Sequence, residues 1–239
     1  MFKIEYASKK GSRNYNEDYV YIKNFKSCNV IAIFDGHNGT SCIEYFIKLF
    51  ENTFNCSNIN QNYLKSLFVS IDNKIVSKNI NSGSCVTMII ILYNTTYILQ
   101  LGDTKAILFK DSLMVYETPE HNFYNSIEYN RCLFNMQIVH NIPRYDGILS
   151  VTRSLGDSEL KNKINVRTLI SIPSIKILNT NDFDTIIMTT DGIHSINKPS
   201  FNTNISIANE YASKPNSDNC TIIKITKKED IISNINKLV

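Results

Sequence analysis

Tryptophan is absent from this chain, and its 239 residues hold only 8 glycines and 5 prolines. That scarcity excludes collagen-like repeats and the Gly- or Pro-rich linkers that separate domains. No stretch approaches the roughly 18 apolar residues that a membrane helix needs, and the opening MFKIEYASKKG lacks an apolar segment of roughly 7 to 15 residues. Neither a membrane span nor a secretory leader is expected. Charge of one sign never accumulates: Lys+Arg 25 against Asp+Glu 22 leave a formal +3, with only the doublets Lys9-Lys10 and Lys227-Lys228. Such a balance argues against nucleic acid and against a membrane surface as partners, because both call for a basic stripe or groove. The six cysteines (Cys28, Cys42, Cys56, Cys85, Cys132, Cys220) form no C-x-x-C pair and lie in or beside apolar stretches. Reduced buried thiols are expected, in a cytoplasmic or nuclear compartment.

What is present is enough for a core. At 43% hydrophobic residues and this length, a fold should bury roughly 70 to 75% of the surface that the unfolded chain exposes, without disulfide or zinc support. No repeat or compositional break divides the chain, so one domain is the simpler reading. Runs rich in Val, Ile, Tyr and Phe predict strands over 30–34, 85–92, 97–101, 106–109, 185–188 and 221–225. Most carry apolar residues on both faces and so need cover above and below. Ile43, Phe46, Ile47 and Phe50 recur at helical spacing behind a Ser41-x-x-Glu44 capping box, and Leu64, Leu67, Phe68, Ile71 and Ile75 form a second helical stripe. Weaker helical patterns cover 123–134, 201–211 and 229 to the end. The order of elements predicts an α+β fold of layered sheets flanked by helices. No amphipathic seam is left over, so a monomer is expected.

One device occurs twice: an apolar strand running into Asp-Gly, once at Asp35-Gly36-His37 and once at Asp191-Gly192. Alone, Asp-Gly is a turn signal. Acidic residues also stand beside other apolar runs: Glu17-Asp18 before YVYI, Asp103 after YILQLG, and Asp218 before NCTIIKI. Glu17, Asp35, Asp191 and Asp218, if the fold gathers them, make an all-oxygen donor set of the kind that hard divalent cations take. Without cations such a cluster would repel itself or hold protons.

The ordered segments GSRNYNED (11–18), FDGHNG (34–39), SGSCVTM (82–88), LGDTKA (101–106), LSVTRSLGD (149–157), TTDGI (189–193) and DNCTI (218–222) resemble the motif set of metal-dependent Ser/Thr protein phosphatases of the 2C type, the PPM family. The resemblance spans most of the chain. It implies an αββα sandwich of two antiparallel sheets flanked by helices, one catalytic domain over residues 1–239. It also implies hydrolysis of phosphoserine and phosphothreonine in protein substrates, through a water shared by two Mn2+ or Mg2+ ions and without a phosphoenzyme. Asp35 would bridge the ions, Glu17 and the Gly36 carbonyl would serve one, and Asp191 and Asp218 the other. Arg13 would bind phosphate with its planar fork, and His37 would protonate the leaving oxygen. Asp18 would support Glu17 or a metal-held water. Arg153 and Asp157 would brace the loop beside the site by internal salt bridges, and Ser82-Gly83-Ser84 would allow close backbone approach. His121, His140 and His194 receive no role.

Several departures from the pattern bear on these roles. Asn38 replaces the first of two usual glycines, a replacement that a left-handed turn tolerates best among non-glycine residues. Ser195 stands where many members carry an acid, which puts in doubt a third metal site built from Asp103 and Asp191. The segments after Asp157 and between Asp191 and Asp218 are compact, predicting a shortened flap and a reduced late helical region. An inactive, partner-binding relative is the alternative reading; such relatives typically lose metal carboxylates, and Glu17, Asp35, Asp191 and Asp218 are all present. A two-metal nuclease would require a basic groove that this charge balance does not supply.

Overall fold

A computed structural model describes residues 2–162, 168–194, 196 and 204–228. In chain order the elements begin with β1 (Phe2–Lys9), β2 (Tyr19–Asn24), β3 (Asn29–His37), α1 (Ser41–Thr53) and α2 (Gln61–Ser77). Four strands follow: β4 (Gly83–Ile91), β5 (Thr95–Leu101), β6 (Lys105–Lys110) and β7 (Leu113–Glu117). Then come α3 (Ser126–Cys132), a 3-10 turn (Leu133–Asn135), β8 (Met136–Val139), β9 (Ile142–Tyr145), β10 (Leu155–Gly156) and α4 (Ser158–Asn162). The chain closes with β11 (Ser174–Asn179), β12 (Thr185–Thr189), α5 (Asn204–Ala212) and β13 (Cys220–Lys227).

Among the described residues two large antiparallel sheets form, beside a small two-stranded one, β8-β9. One has the order β1-β13-β12-β6-β7; the other has the order β11-β5-β4-β3-β2, with β10 also paired to β4. The period of two along β3 shows why they stack. Ile31 and Ile33 point into the layer between the sheets, meeting Leu108, Ile186, Met188, Ile223 and Ile225 of the opposite sheet. Val30, Ala32 and Phe34 point the other way, onto Phe46 and Phe50 of α1 and Leu64 and Phe68 of α2. The outer face of the first sheet, with Ile107, Phe109, Ile187 and Ile222, packs on Ala208 of α5. The layers are therefore helix, sheet, sheet, helix, the αββα sandwich that the motifs imply.

Each of the six predicted strands is present. The predicted capping box is not: Thr40 is the N-cap residue, its hydroxyl donates to Glu44 Oε1 at 2.8 Å, and Ser41 is already the first helical residue. The helix starts where the left-handed Asn38 (φ 57°) and Gly39 turn the chain out of β3, so tertiary geometry decides which hydroxyl sits at the boundary. The pattern over 123–134 shortens to α3 and its 3-10 turn because Asn125 caps α3 by accepting from Ile127 N. The helical pattern from 201 is realised as α5, while the one from 229 and the doubt attached to Ser195 lie outside the described residues. Among the described residues no helix is long and apolar enough to cross a membrane.

A charged knot ties α3 to the loop before β10. Glu128, 1% exposed, accepts from Arg153 Nε at 3.0 Å, from the Thr152 hydroxyl at 2.7 Å and from Arg131. Arg153 also donates to the Ile172 carbonyl at 2.8 Å, so it braces this loop as expected. Burial alone would raise the Glu128 carboxyl. The hydrogen bonds from Arg153 and Thr152 and the arginine charges outweigh it and hold the group at about 2. A folded-state value below the ordinary one stabilises the fold above the unfolded value of about 4.5, and that contribution fades as pH falls toward about 2. Glu128→Gln is expected to cost about 3 kcal/mol in urea unfolding at neutral pH, since two arginines lose their buried counter-charge. The gap between variant and wild type should narrow through that acid window, and a gap independent of pH would show that the ion pairs are not its source.

Candidate active site

Strand ends from both sheets meet at one edge of the sandwich. Asp35 lies near the end of β3 and Glu17-Asp18 precede β2 in one sheet; Asp191 follows β12 and Asp218 precedes β13 in the other. Asp103 sits in the β5–β6 turn. One cleft of about 440 Å³ is lined by Arg13, Glu17, Asp35, Gly36, His37, Asp103, Asp191 and Asp218. All eight residues singled out for catalysis or metal ligation thus share a single concavity. Asp35 and Asp191, the two Asp-Gly sites, both line it.

Proximity of so many acids is written into their proton affinities. Burial first, then the charge of Asp191, Asp18, Asp103 and Asp218, pushes Asp35 well above the carboxylate range. Burial likewise lifts Asp103 to about 7, with Asp191 adding to the rise. Asp18 reaches about 7 by burial, although hydroxyls of Thr221 and Thr190 oppose it. Asp191 is raised by burial and then by Asp218.

Several of these carboxylates are held by protein donors. Glu17 Oε1 accepts from Gly39 N at 2.5 Å, Asp218 Oδ2 pairs with Arg13 Nη2 at 2.5 Å, and Asp18 Oδ2 accepts from the Thr190 hydroxyl at 3.0 Å. With the groups so engaged, no three His, Cys, Asp or Glu side chains close on one ligating point among the described residues. The donor set nonetheless suits a hard cation: it consists of oxygens, its self-repulsion favours added positive charge, and Asp18 Oδ1 is buried without a hydrogen-bond partner among the described residues.

His37 lines the same cleft, and its Nε2 lies 2.7 Å from Asp157 Oδ1, whose side chain is 3% exposed. Burial lowers the imidazole's proton affinity, but the hydrogen bond and charge of Asp157 more than reverse this, so the ring titrates above its ordinary value. Asp157, expected only to brace a loop, therefore holds the histidine. Ser154 donates to its other oxygen at 2.6 Å. Gly83 makes the pairing possible, because a Cβ at that position would collide with both His37 Nε2 and Asp157 Oδ2. The expected close backbone approach also occurs, where Gly83 pairs with Gly156 of β10.

Two contributors escaped the sequence reading. Asn219, 6% exposed, donates its amide to the carbonyls of Lys10 (2.8 Å) and Tyr15 (2.9 Å) and accepts from Glu17 N at 2.8 Å. It pins the loop carrying Arg13 and Glu17 to the start of β13. Its only sequence signal is its place beside Asp218. His194, given no role, borders a neighbouring recess with Asp103, Lys105, Glu120 and Asp191, and its charge lowers the proton affinity of Asp191. His121 is structural: Nδ1 accepts from Gly102 N and Nε2 bonds Ser174, while burial drives the ring down to about 3. Ile142 and Arg144 of β9 and Ile148 just after it also line the cleft.

Asn219→Ala would remove the shared partner of two carbonyls and one amide in three part-buried hydrogen bonds. It is expected to cost about 2 to 4 kcal/mol of stability and to speed amide exchange at Glu17 selectively. Unchanged exchange there would show that the loop is held by other contacts.

The family profile described as Protein phosphatase 2C matches residues 9–217. Probable protein phosphatase 2C 28 of Arabidopsis thaliana is 31% identical over 177 residues, 69% of this chain and 50% of the relative. Probable protein phosphatase 2C 20 of the same plant is 28% identical over 197 residues, covering 75% of this chain and 66% of that protein. The chain thus spans about half to two thirds of the length of these relatives. Among solved structures, a phosphatase from a pathogenic strain of Toxoplasma gondii superposes with a TM-score of 0.78 at 17% identity, over 94% of this chain and 92% of that one. The serine-threonine phosphatase 2C from Toxoplasma gondii gives 0.75 at 14% identity, over 95% of each chain. Motifs, sandwich and matched span agree, and the chain belongs to the protein phosphatase 2C family.

Proposed function

We propose that this protein is an active protein serine/threonine phosphatase, a single catalytic domain that removes phosphate from phosphoserine and phosphothreonine with two Mn2+ or Mg2+ ions. The observation that carries the reading is the cleft in which Glu17, Asp35, Asp191 and Asp218 meet Arg13 and His37. Glu17, Asp35, the Gly36 carbonyl, Asp191 and Asp218 would hold the ions, with Asp103 available to a further one and Asp18 supporting from behind. Bound there, the cations would offset the carboxylate charge, polarise the phosphoryl group and acidify a water for attack on phosphorus.

The chain's own residues do the remaining work. Arg13, its side chain 58% exposed, can turn its fork from Asp218 to the phosphate oxygens and orient the ester in the cleft. His37, kept proton-rich by Asp157, carries a proton to the serine or threonine oxygen as the P–O bond breaks.

Purified protein should hydrolyse a phosphothreonine peptide in Mn2+ or Mg2+, stop on addition of EDTA, and lose about 10³-fold in kcat on Asp35→Ala. Turnover indifferent to chelator and to that substitution would refute the phosphatase reading, whereas metal binding without turnover would favour a partner-binding relative. His37→Ala is expected to cost about 10²- to 10⁴-fold on a phosphoserine peptide and far less on p-nitrophenyl phosphate, whose phenolate needs little protonation. Equal losses on both substrates would remove the proton-donor role.

A further inference from the structure

At the far end of β3 from Asp35, two cysteines from separate loops join one packed cluster. Cys28 lies just before β3, in a hairpin fixed by the Phe25 N to Cys28 O hydrogen bond of 2.8 Å. Cys56 lies between α1 and α2, in a link fixed by hydrogen bonds from Ser57 N to Asn55 Oδ1 (2.9 Å) and from Asn55 N to the Tyr63 hydroxyl (2.6 Å). The rings of Phe25 and Phe54 meet edge-on at 5.0 Å and hold the two loops together. Ser27 Oγ donates to Cys56 Sγ at 3.0 Å, and Cys56 packs against the buried cluster that includes Cys28. Cys28 is buried like the other four cysteines, of which Cys132 bonds Thr168 O and Cys220 bonds Gly192 O.

We propose that Cys28 and Cys56 form a two-thiol oxidation site, which a hydroperoxide converts to a reversible intramolecular disulfide. The two sulfurs are suited to different steps. The Ser27 hydroxyl stabilises the thiolate of Cys56 and draws its proton affinity down, which makes it the attacking group. Cys28 is pushed up to about 12, first by burial and then by the charge and hydrogen bond of Cys56, so it stays a thiol until Cys56 has reacted. Peroxide can reach Cys56, which is partly exposed, while Cys28 is 4% exposed and borders a surface cleft of about 490 Å³ with Lys26 and Lys227.

The Cys56 thiolate attacks one oxygen of hydrogen peroxide, the O–O bond breaks, and the departing hydroxide takes a proton to leave as water. Cys56 is then a sulfenic acid. The Cys28 sulfur attacks the Cys56 sulfur, the S–S bond forms, and the S–O bond breaks. Its hydroxide leaves as water with the proton of Cys28. Two thiols have lost two electrons and two protons, and one peroxide has become two waters. The clasp would tie the β2–β3 hairpin to the α1–α2 link. This inference does not rest on the phosphatase reading, because its readout is thiol chemistry.

Protein treated with hydrogen peroxide, alkylated and digested without reductant should yield a peptide pair joining Cys28 to Cys56, with the other four of the six cysteines alkylated. Dithiothreitol should return both thiols, and the oxidised form should melt several degrees higher. Two free thiols after peroxide, or Cys56 carried to sulfinic acid beside an alkylatable Cys28, would overturn the proposal. Cys56→Ser should abolish the cross-link, and a peroxide-induced link from Cys28 to any other cysteine in that variant would also overturn it. The wild-type peptide map decides the matter even if the variant folds poorly.

Discussion

Repulsion among buried acids is the constraint around which this molecule is built. Burial first, and then the charge of Asp191, Asp18 and Asp103, raises the proton affinity of Asp35, an arrangement that costs folding free energy wherever the charges go unanswered. The sandwich supplies what offsets it. Alternating residues of β3, Ile31 and Ile33 on one side and Val30, Ala32 and Phe34 on the other, commit the strand to two cores at once. A strand anchored on both faces cannot move Asp35, near its end, away from a neighbour that repels it.

Around the acids lies a layer of neutral and ionic contacts that fix backbone rather than charge. Asn219 closes the Arg13 loop onto β13, and Asp72 does a comparable job for the loop that carries Asp157. Asp72 accepts from Gly156 N at 2.7 Å and pairs with Lys161 at 2.8 Å, both side chains at most 5% exposed. Breaking such a pair from one side leaves a buried charge without an answer. Its loss would be felt at His37, because the loop so anchored includes the carboxylate that the imidazole meets.

Legibility in the sequence followed burial. β3, β4, β12 and β13 read clearly because Val and Ile fill both faces, and the two Asp-Gly pairs mark where the acidic strands end. β1, β7 and β11 did not stand out: each lies at the edge of a sheet, mixes polar with apolar residues, and takes its conformation from its neighbour. The Asp157 contact joins residues 120 positions apart and the Asn219 contact 202, so neither leaves a local pattern. The motif resemblance found the acids because it is a record of identities. It missed the geometry of Asp157 because a bracing aspartate and a histidine-holding one are spelled alike.

Ownership of the acids is divided: Glu17 and Asp35 ride on one sheet, Asp191 and Asp218 on the other. The isoleucine layer between the sheets therefore acts as a spacer that sets the width of the gap across which those groups face each other. Bulk added deep in that layer, at Ile89 or Ile225 for instance, would splay the jaws of the cleft although neither residue touches it. Tolerance for size in the middle of this protein is thereby coupled to how wide an object its rim can grip.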